Sequence, residues 1–426
     1  MADPHRLYEI RCPVHGFITL NDWEWDIIAQ PAFQRLRRIR QLAWTDQVYP
    51  GAMHTRFEHS LGVMHVATRL YEAVVRRSQA LLTSELAYNP DGLHRDKMLV
   101  RLTALLHDLG HGPFSHAGEE LLPEQGEGQS KYQHEHYSAA IIRDKLRAVI
   151  EDHPLNRNYR FRVRDITALL EGSGEAGHTL FWRDLISGQL DADRIDYLLR
   201  DSLHTGVDYG RFDWRRLLHT VAAAPGPEGG GLRLGVREGG WHAAEALVLA
   251  RYFMFTQVYF HKTRVAFDHH LRQALAELLP GRQFPKPEGT DLDEFLRWDD
   301  WRVLGLLSEG KGGEHGRRLA ARDHYREIFH TSETPTAQEL AELDRIRSAL
   351  GTLVRAVEPA EKSWYKVGTA DIPVVSESET QKARPLSEYS SVIANLKPIG
   401  KVMLYARRED GEEVRAKLRE LLRVDS

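Results

Sequence analysis

Apolar residues recur at helical spacing along most of this 426-residue chain. Residues 60–82 and 99–108 place apolar side chains at every third or fourth position, which predicts two helices that each bury one face. Pro31 is expected to open another helix, because proline is tolerated in a first helical turn. Helices are further predicted at residues 22–29, 138–150, 163–171, 180–200, 242–279 and 411–423, with a charged helical stretch at 291–358.

Strand patterns are short and few. Residues 8–20 predict a strand pair that turns at His15-Gly16, and the Gly-rich residues 221–241 predict a second hairpin. The run KVMLYA at 401–406 also has the composition of a strand. We therefore expect a mainly α fold with short β-hairpins and a small α+β region at the C-terminal end.

The length of the chain allows more than one hydrophobic core. Residues 280–287 contain Gly and Pro and are typical of a linker. The predicted division is therefore a domain of residues 1–280, followed by a helical and α+β accessory domain of residues 281–426.

The composition is that of a soluble globular protein, with 42% hydrophobic and 28% charged residues. No apolar run reaches the roughly 18 residues of a membrane span, and the first residues lack the apolar region of a secretion signal. Cys12 is the only cysteine, so no intrachain disulfide can form, in keeping with an expected cytoplasmic location. With a net charge of −4, a nucleic acid is not indicated as a partner, and no membrane is expected.

The most informative pattern is the adjacent pair His107-Asp108, which follows a buried helical stripe and precedes the segment LGHGPFSH. An imidazole nitrogen and a carboxylate oxygen are both metal ligands. His59, at the start of a predicted helix, and Asp193, in a later one, complete a set of two histidines and two carboxylates. Each residue alone is more simply explained as an ordinary polar group. The four in this order predict a metal centre with positions open for water and substrate.

One divalent metal ion is therefore the expected cofactor. The ligand types do not identify the metal, because imidazole and carboxylate ligands suit Mn²⁺, Mg²⁺, Fe²⁺, Ni²⁺, Co²⁺ and Zn²⁺.

Arginines are dense before this pattern. Arg56 stands three residues before His59, where a guanidinium could hold a phosphate next to the metal. A second group can be interpreted either as a solvated surface or as an anion site, and the sequence favours neither. This group consists of Arg35, Arg37, Arg38 and Arg40.

The order H…HD…D occurs here with the blocks QRLRRIRQL, YPGAMHTRFEHSLGV, LLHDLGHGPFSH and DADRIDYLLRDSLHTGV. Together they resemble the deoxynucleoside triphosphate triphosphohydrolase branch of the HD-domain phosphohydrolases, from about residue 10 to about residue 275 and weakly at 385–406. The resemblance implies an HD-domain helical core and a metal-dependent attack of water at the α-phosphorus of a deoxynucleoside triphosphate (dNTP). The products would be the deoxynucleoside and triphosphate. It also implies a homo-oligomer, a dimer or tetramer, and an additional Mg²⁺ bound with the triphosphate.

The resemblance also implies roles for single residues. His111 paired with Glu119 would handle the proton near the attacked phosphorus, where the family usually has aspartate at position 119. His116 and His134 would bind or protonate the phosphate leaving group.

Substrate contacts are implied in the same way, and Gln41 would bond the 3′-hydroxyl of the sugar. The family usually has glycines after Leu42, where this chain has Ala43, Trp44 and Thr45. Tyr197 and Asp201 follow Asp193 at helical spacing, near the same helical face. The full set is Gln41, Leu42, Arg56, Arg194, Tyr197, Asp201, His261 and Lys262.

Two other functions stay open at this point. The protein could be an HD phosphohydrolase that acts on nucleoside monophosphates or other phosphoesters. It could also be a low-turnover regulator that binds a nucleotide or a nucleic acid. The blocks YPGAMHTRFEHS and DADRIDYLLRD favour the dNTP triphosphohydrolase, and the near-neutral charge argues against the regulator.

Overall fold

The computed structural model describes residues 6–226, 231–362, 371–376 and 382–423. Helices dominate, and the mainly α fold predicted from the sequence is confirmed. In these ranges, no helix combines the length and the apolar character needed to cross a bilayer.

A β-hairpin opens the described chain. Strands β1 (Tyr8–Cys12) and β2 (Gly16–Leu20) pair antiparallel around the predicted turn. Helix α1 (Asp22–Ile28) follows, because Asn21 accepts a hydrogen bond from the backbone of Glu24 and the Glu24 side chain accepts one from the backbone of Asn21.

The next three helices lead to the predicted metal ligands. Helix α2 (Pro31–Gln34) is shorter than expected, because residues 35–38 tighten into a 3-10 turn and the backbone is extended at Ile39. Helices α3 (Arg56–Leu86) and α4 (Pro90–Leu106) are longer than expected, and they pack against each other in the main core.

Four helices follow α4 along the chain, and the last of them, α8, packs against α4. Helix α5 begins earlier than predicted, and α8 lies where it was predicted. Their bounds are α5 (His134–Lys145), α6 (Arg147–Glu151), α7 (Asn156–Tyr159) and α8 (Val163–Glu171).

The helix predicted over residues 180–200 is wrong in its first half. Residues Gly174–Leu185 form 3-10 turns, and bends follow at 187–190. Helix α9 (Ala192–Thr205) starts only after Asp191, whose side chain accepts a hydrogen bond from the backbone N–H of Arg194. Residue 193 therefore lies in the first turn of α9, not in the middle of a helix.

The helix predicted over residues 242–279 is also two helices. After α10 (Trp214–Thr220) and the hairpin of β3 (Val221–Pro225) and β4 (Leu232–Arg237), helix α11 (Trp241–Met254) ends in a π-helical turn. The backbone is extended at His261, which caps α12 (Lys262–Leu278).

The stretch 291–358 mixes helices with strands, where only helix was predicted. Its elements are α13 (Gly289–Leu296), α14 (Asp300–Ser308), α15 (Gly313–Ala320), β5 (Arg326–His330), α16 (Ala337–Leu350) and β6 (Ala356–Lys362). The chain continues with β7 (Pro373–Val375), β8 (Ala383–Pro385), α17 (Leu386–Tyr389), α18 (Ser391–Ala394), β9 (Ile399–Ala406) and α19 (Gly411–Arg423).

These strands form two further sheets. One has the order β3-β4-β7-β8, with β4 and β7 parallel. The other has the order β5-β9-β6 and is antiparallel, so the predicted strand at 401–406 lies in its centre.

The main core draws residues from both sides of position 280. Phe284, Phe295 and Trp298 belong to the same buried cluster as the apolar residues of α3 and α4. A smaller core, with Leu343 and Leu404, lies between α16, β9 and α19. The division into two domains at residue 280 stays a prediction.

Candidate active site

Three separate segments bring the four predicted metal ligands together. His59 lies in the first turn of α3, His107 and Asp108 directly follow α4, and Asp193 lies in the first turn of α9. Nε2 of His59 is 3.5 Å from Oδ2 of Asp108 and 3.0 Å from Oδ1 of Asp193. Nε2 of His107 is 3.3 Å from Oδ1 of Asp108 and 3.9 Å from Oδ1 of Asp193. Ligands bonded to one ion at about 2.0–2.2 Å are separated by roughly such distances.

The free nitrogen atoms of the two histidines fit a metal. Nε2 of His59 and Nε2 of His107 are buried, and neither has a hydrogen-bond partner among the described residues. Nδ1 of His107 lies 2.8 Å from the Ala104 carbonyl oxygen, so Nδ1 donates and Nε2 keeps its lone pair. Burial alone would lower the pKa of His59, but the carboxylates around it, Asp193 foremost, raise that pKa to about 10. The site therefore favours positive charge, and its donor set fits one divalent cation.

Arg56 holds one of these ligands. Its buried guanidinium donates to Oδ2 of Asp108 and, from Nε, to Oγ of Ser115 at 2.7 Å. Burial alone would raise the pKa of Asp108. Arg56, His107 and His111 together outweigh burial and hold this pKa well below its ordinary value. The contact of Arg56 with a substrate phosphate stays a prediction.

The four predicted catalytic residues gather beside Asp108. Oε1 of Glu119 is 2.7 Å from Nδ1 of His134 and 3.5 Å from Nδ1 of His111, and Oε2 is 3.0 Å from Nδ1 of His116. The rings of His111 and His134 stack with centroids 3.8 Å apart. Nε2 of His111 lies 3.3 Å from Oδ1 of Asp108, so this ring links the metal ligands to Glu119. The donor atoms of this group lie close enough together to hold a metal ion. The ring of His134 is hydrogen-bonded to Glu119, whereas the buried Nδ1 of His111 has no hydrogen-bond partner among the described residues.

The charge states within this group differ. Burial lowers the pKa of His111 well below its ordinary value, which favours a neutral imidazole. Burial would also lower the pKa of His134, but its hydrogen bond to Glu119 raises it. Burial would raise the pKa of Glu119, but His116 and His134 hold it well below its ordinary value. A carboxylate, a neutral imidazole and an imidazole that favours its charged form suit proton transfer and anion binding.

Two predicted substrate residues of α9 lie near two further polar side chains. Oδ1 of Asp201 is 2.7 Å from Nε2 of His54, and Oδ2 accepts a hydrogen bond from the hydroxyl of Tyr259 at 2.6 Å. The ring of Tyr197 lies edge-on to that of Tyr259, with centroids 6.3 Å apart. His54 was not predicted as a site residue, although it stands two positions before Arg56 in the motif block.

Arg194 is held by the residue that caps its helix. Its Nη1 donates to Oδ2 of Asp191 at 2.7 Å, and burial raises the pKa of Asp191 to about 6. Gln41 and Leu42 precede α3, and Leu42 is buried. Oε1 of Gln41 is buried and accepts no hydrogen bond from the described residues.

His261 and Lys262 lie at the break between α11 and α12. Nδ1 of His261 accepts the backbone N–H of Thr263 at 3.2 Å. Burial lowers the pKa of His261. The charge of Lys262 lowers this pKa further, and that of Glu327 opposes the shift. No contact in the described ranges joins this pair to the metal ligands, and its role in substrate binding stays a prediction.

The arginines near α2 are engaged by the protein itself. Arg35 is 1% exposed, and its guanidinium donates to the carbonyl oxygens of Trp298 and Leu109. The other contacts are Arg38 with Asp299 at 2.5 Å, Arg40 with Asp46 at 3.1 Å, and Arg37 over the ring of Phe57. The group is therefore neither a plain solvated surface nor an open anion site.

Asp196 belongs to the site but was not predicted. It is fully buried, and its Oδ2 lies 2.8 Å from Nδ1 of His59. The signal in the sequence was its position three residues after Asp193, one helical turn along the same face.

Two known sequence families match the chain. Residues 56–200 match the HD domain, and residues 212–426 match the HD associated region. The chain therefore belongs to the HD-domain family, as its motifs predicted, and within that family it is similar to phosphohydrolases.

Its relatives agree with this assignment. The chain is 33% identical over 228 residues to the deoxynucleoside triphosphate triphosphohydrolase SAMHD1 of Homo sapiens, a match that covers 49% of this chain and 35% of SAMHD1. A hypothetical protein of Aquifex aeolicus has a crystal structure with a TM-score of 0.79 and 30% identity, across 97% of this chain and 100% of that one. A phosphohydrolase of Bacteroides thetaiotaomicron gives a TM-score of 0.70 and 25% identity, across 95% and 100%. The chain spans about half the length of the first curated relatives it matches, or less.

Proposed function

We propose that the protein is a metal-dependent hydrolase that converts dNTPs into deoxynucleosides and inorganic triphosphate. The observation that carries the proposal is the position of His111, whose Nε2 faces Asp108 and whose Nδ1 faces Glu119. The candidate metal ligands therefore adjoin the candidate proton-handling group, as a metal-assisted hydrolysis requires. The motif blocks, and relatives named as dNTP triphosphohydrolases, support the substrate class.

When bound, one divalent ion held by His59, His107, Asp108 and Asp193 would supply a Lewis acid for a phosphoryl oxygen and lower the pKa of a water. In the overall reaction the water oxygen joins the α-phosphorus, the bond from phosphorus to the 5′-oxygen breaks, and that oxygen gains a proton. An additional Mg²⁺ bound with the triphosphate belongs to the substrate.

The side chains of the site divide the remaining work. Arg56 keeps Asp108 ionised and oriented. His111, which favours its neutral form, exchanges a proton at the attacked phosphorus, and Glu119 orients the ring. His134, whose pKa is raised, and the exposed His116 bind phosphate oxygens of the triphosphate product.

Sugar and phosphate recognition falls to the residues around α9. Oε1 of Gln41 has no partner in the described chain and is the proposed acceptor for the 3′-hydroxyl. Asp201 and Tyr197 share their helix with Asp193 and are proposed to line the sugar site. Leu42, Arg194, His261 and Lys262 are the remaining proposed contacts.

Product analysis tests the reaction. The purified chain is incubated with each dNTP and Mn²⁺ or Mg²⁺, and chromatography separates nucleosides from nucleotides. Deoxynucleoside with an equal amount of triphosphate is the expected result. Hydrolysis of monophosphates or other phosphoesters alone would favour the second class of HD phosphohydrolase. Nucleotide or nucleic-acid binding without turnover would favour a regulator.

A matched pair of variants ties turnover to the site. Asp193→Ala should reduce product formation to background, because it removes a proposed metal ligand. Asp208→Ala removes a surface carboxylate whose side chain is 85% exposed, and it should leave turnover unchanged.

We also propose a homo-oligomer, a dimer or tetramer, on the strength of the family resemblance. Light scattering after size-exclusion chromatography, with and without dNTP, would give the mass of the assembly. A monomer under both conditions would contradict this.

A further inference from the structure

A buried carboxylate stands behind the proposed metal ligand His59. Asp196 lies one helical turn after Asp193, and neither its side chain nor that of His59 is exposed. Oδ2 of Asp196 lies 2.8 Å from Nδ1 of His59. An ionised carboxylate only accepts hydrogen bonds, so Nδ1 of His59 must be the donor. With the proton held on Nδ1, Nε2 is the nitrogen that can give up its proton to a metal, and it faces the other proposed ligands.

Two more groups fix the position of this carboxylate. Arg200 donates to Asp196 from Nε at 2.8 Å and from Nη2 at 2.9 Å. Nε2 of His15 lies 2.6 Å from Oδ1 of the same carboxylate. Asp196 thus has donors on both oxygens, which holds it in one orientation.

His15 comes from the N-terminal hairpin, in the turn between β1 and β2 and before residues 56–200 that match the HD domain. Its side chain is fully buried, with its ring stacked on His65 at 5.2 Å and edge-on to Trp214 at 5.9 Å. Cys12, at the end of β1, accepts a contact from Nη2 of Arg200 at 3.4 Å. The hairpin is thus in direct contact with the residues behind the proposed metal centre.

Helix α3 makes room for this contact through a glycine. A Cβ atom at Gly62 would lie 1.9 Å from Oδ1 of Asp196 and 2.5 Å from Nη2 of Arg200. Any side chain here would displace the carboxylate, so the close approach of α3 and α9 depends on glycine.

We propose that His15 and Asp196 are positioning residues, by which the N-terminal hairpin sets the ring tautomer and orientation of His59 for metal binding. The inference rests on the proposed metal centre. It places a residue that supports a metal ligand in a part of the chain that precedes the HD-domain match. Neither residue touches the substrate, so both act through His59.

Metal affinity measured without nucleotide is the direct test. Mn²⁺ binding to the full chain is followed by calorimetry. Asp196→Asn can turn its amide N–H₂ towards Nδ1 of His59, which favours the tautomer with the proton on Nε2. We expect Mn²⁺ affinity to fall by about 10–100-fold, the usual effect of losing such an outer partner. The control Asp96→Asn makes the same change at a buried carboxylate bonded to Tyr88 and Arg95. It should leave Mn²⁺ affinity unchanged.

The hairpin is tested separately, because Asp196→Asn leaves the buried Arg200 without a full counter-charge and could prevent folding. His15→Ala removes one donor to Asp196, and we expect a loss of Mn²⁺ affinity of about tenfold. His15→Gln keeps a donor of similar reach and should restore most of the affinity. The control is His153→Ala, which removes a histidine ring whose side chain is 9% exposed and which stacks on Trp23.

Melting temperatures distinguish positioning from a merely structural role. If His15 positions His59, the increase in melting temperature on adding Mn²⁺ should shrink in His15→Ala, because ligand stabilisation follows affinity. An equal loss of melting temperature with EDTA and with Mn²⁺ would overturn the proposal, and so would wild-type Mn²⁺ affinity in folded His15→Ala. A protein that binds Mn²⁺ but hydrolyses no dNTP would contradict the proposed function and leave this inference standing. A wild-type chain that binds no Mn²⁺ would overturn both.

Discussion

Nε2 of His59 lies 3.0 Å from Oδ1 of Asp193. This contact joins the first turns of two helices, α3 and α9. Both turns are capped. Thr55 and Glu58 form a capping box at α3, and Asp191 caps α9. Capping satisfies backbone N–H groups of a first turn and stabilises its backbone, so the two proposed ligands lie on well-defined helix ends. Helix N-termini also favour anions, which suits a site for phosphates.

Arg56→Gln separates two roles of this arginine. The guanidinium contacts Asp108, so its removal should weaken metal binding and turnover together, by about tenfold or more. The pKa of Asp108 should rise towards its ordinary value, and the loss of metal binding should therefore be larger at low pH. Mn²⁺ titrations at two pH values measure this. An increase in KM for dNTP with unchanged Mn²⁺ affinity would point instead to a phosphate contact.

Glu119→Gln should change the pH dependence of turnover. Burial alone would lower the pKa of His134, and the carboxylate of Glu119 raises it. Without that charge, His134 should lose its proton at lower pH. The alkaline limb of the plot of kcat against pH should therefore shift to lower pH. Turnover at neutral pH should fall by about 10²–10⁴-fold, the usual contribution of a proton-handling group.

Mn²⁺ affinity is the control for Glu119→Gln, because Glu119 is not a proposed ligand. Unchanged Mn²⁺ affinity with a shifted alkaline limb is the expected result. An alkaline limb at the wild-type pH would show that His134 is not the group that titrates there.

Asp300→Asn should change how the free energy of unfolding depends on pH, because the buried carboxyl of Asp300 destabilises the fold when it ionises. The carboxylate of Asp300 accepts the backbone N–H of Phe114 at 2.7 Å and that of Arg40 at 2.9 Å. Burial raises its pKa to about 7, above the ordinary value of 3.8. The folded state thus retains the proton more tightly than the unfolded chain. Its contribution is complete below about pH 4 and is lost as the pH rises through about 7.

The Asn side chain offers only one acceptor to the two N–H groups, so it should cost about 1–3 kcal/mol at pH 5. It does not ionise, so the difference in unfolding free energy from the wild type should shrink at pH 8. Urea unfolding of both proteins at the two pH values measures this. A difference that is the same at pH 5 and pH 8 would exclude a raised pKa for Asp300.

The proximity of the four proposed metal ligands could be predicted from the sequence, because their order and flanking motifs are specific. The helix at 22–29 and the strand at 401–406 were also predicted correctly, since both signals are local. Residues 174–190 and the break at His261 were missed. Apolar spacing there resembles that of a helix, and the 3-10 and π turns depend on packing with distant elements.

Contacts between residues far apart in sequence were not predicted either, because local patterns do not specify which distant elements pack together. The burial of Arg35 and the contact of His15 with Asp196 involve partners far apart in sequence, and no local pattern encodes them. The backbone of Ala43 was not anticipated either. It adopts a φ of +47°, a conformation that favours glycine, and its Cβ costs about 1–2 kcal/mol there.

Metal content per chain tests the central claim most directly. The wild type, Asp193→Ala and the surface control Asp208→Ala are stripped with EDTA, dialysed against Mn²⁺, and analysed by mass spectrometry of the metal. The account predicts one tightly held ion in the wild type and in Asp208→Ala, and much less than one in Asp193→Ala. A wild type without bound metal, or an Asp193→Ala protein that keeps the full amount, would contradict it.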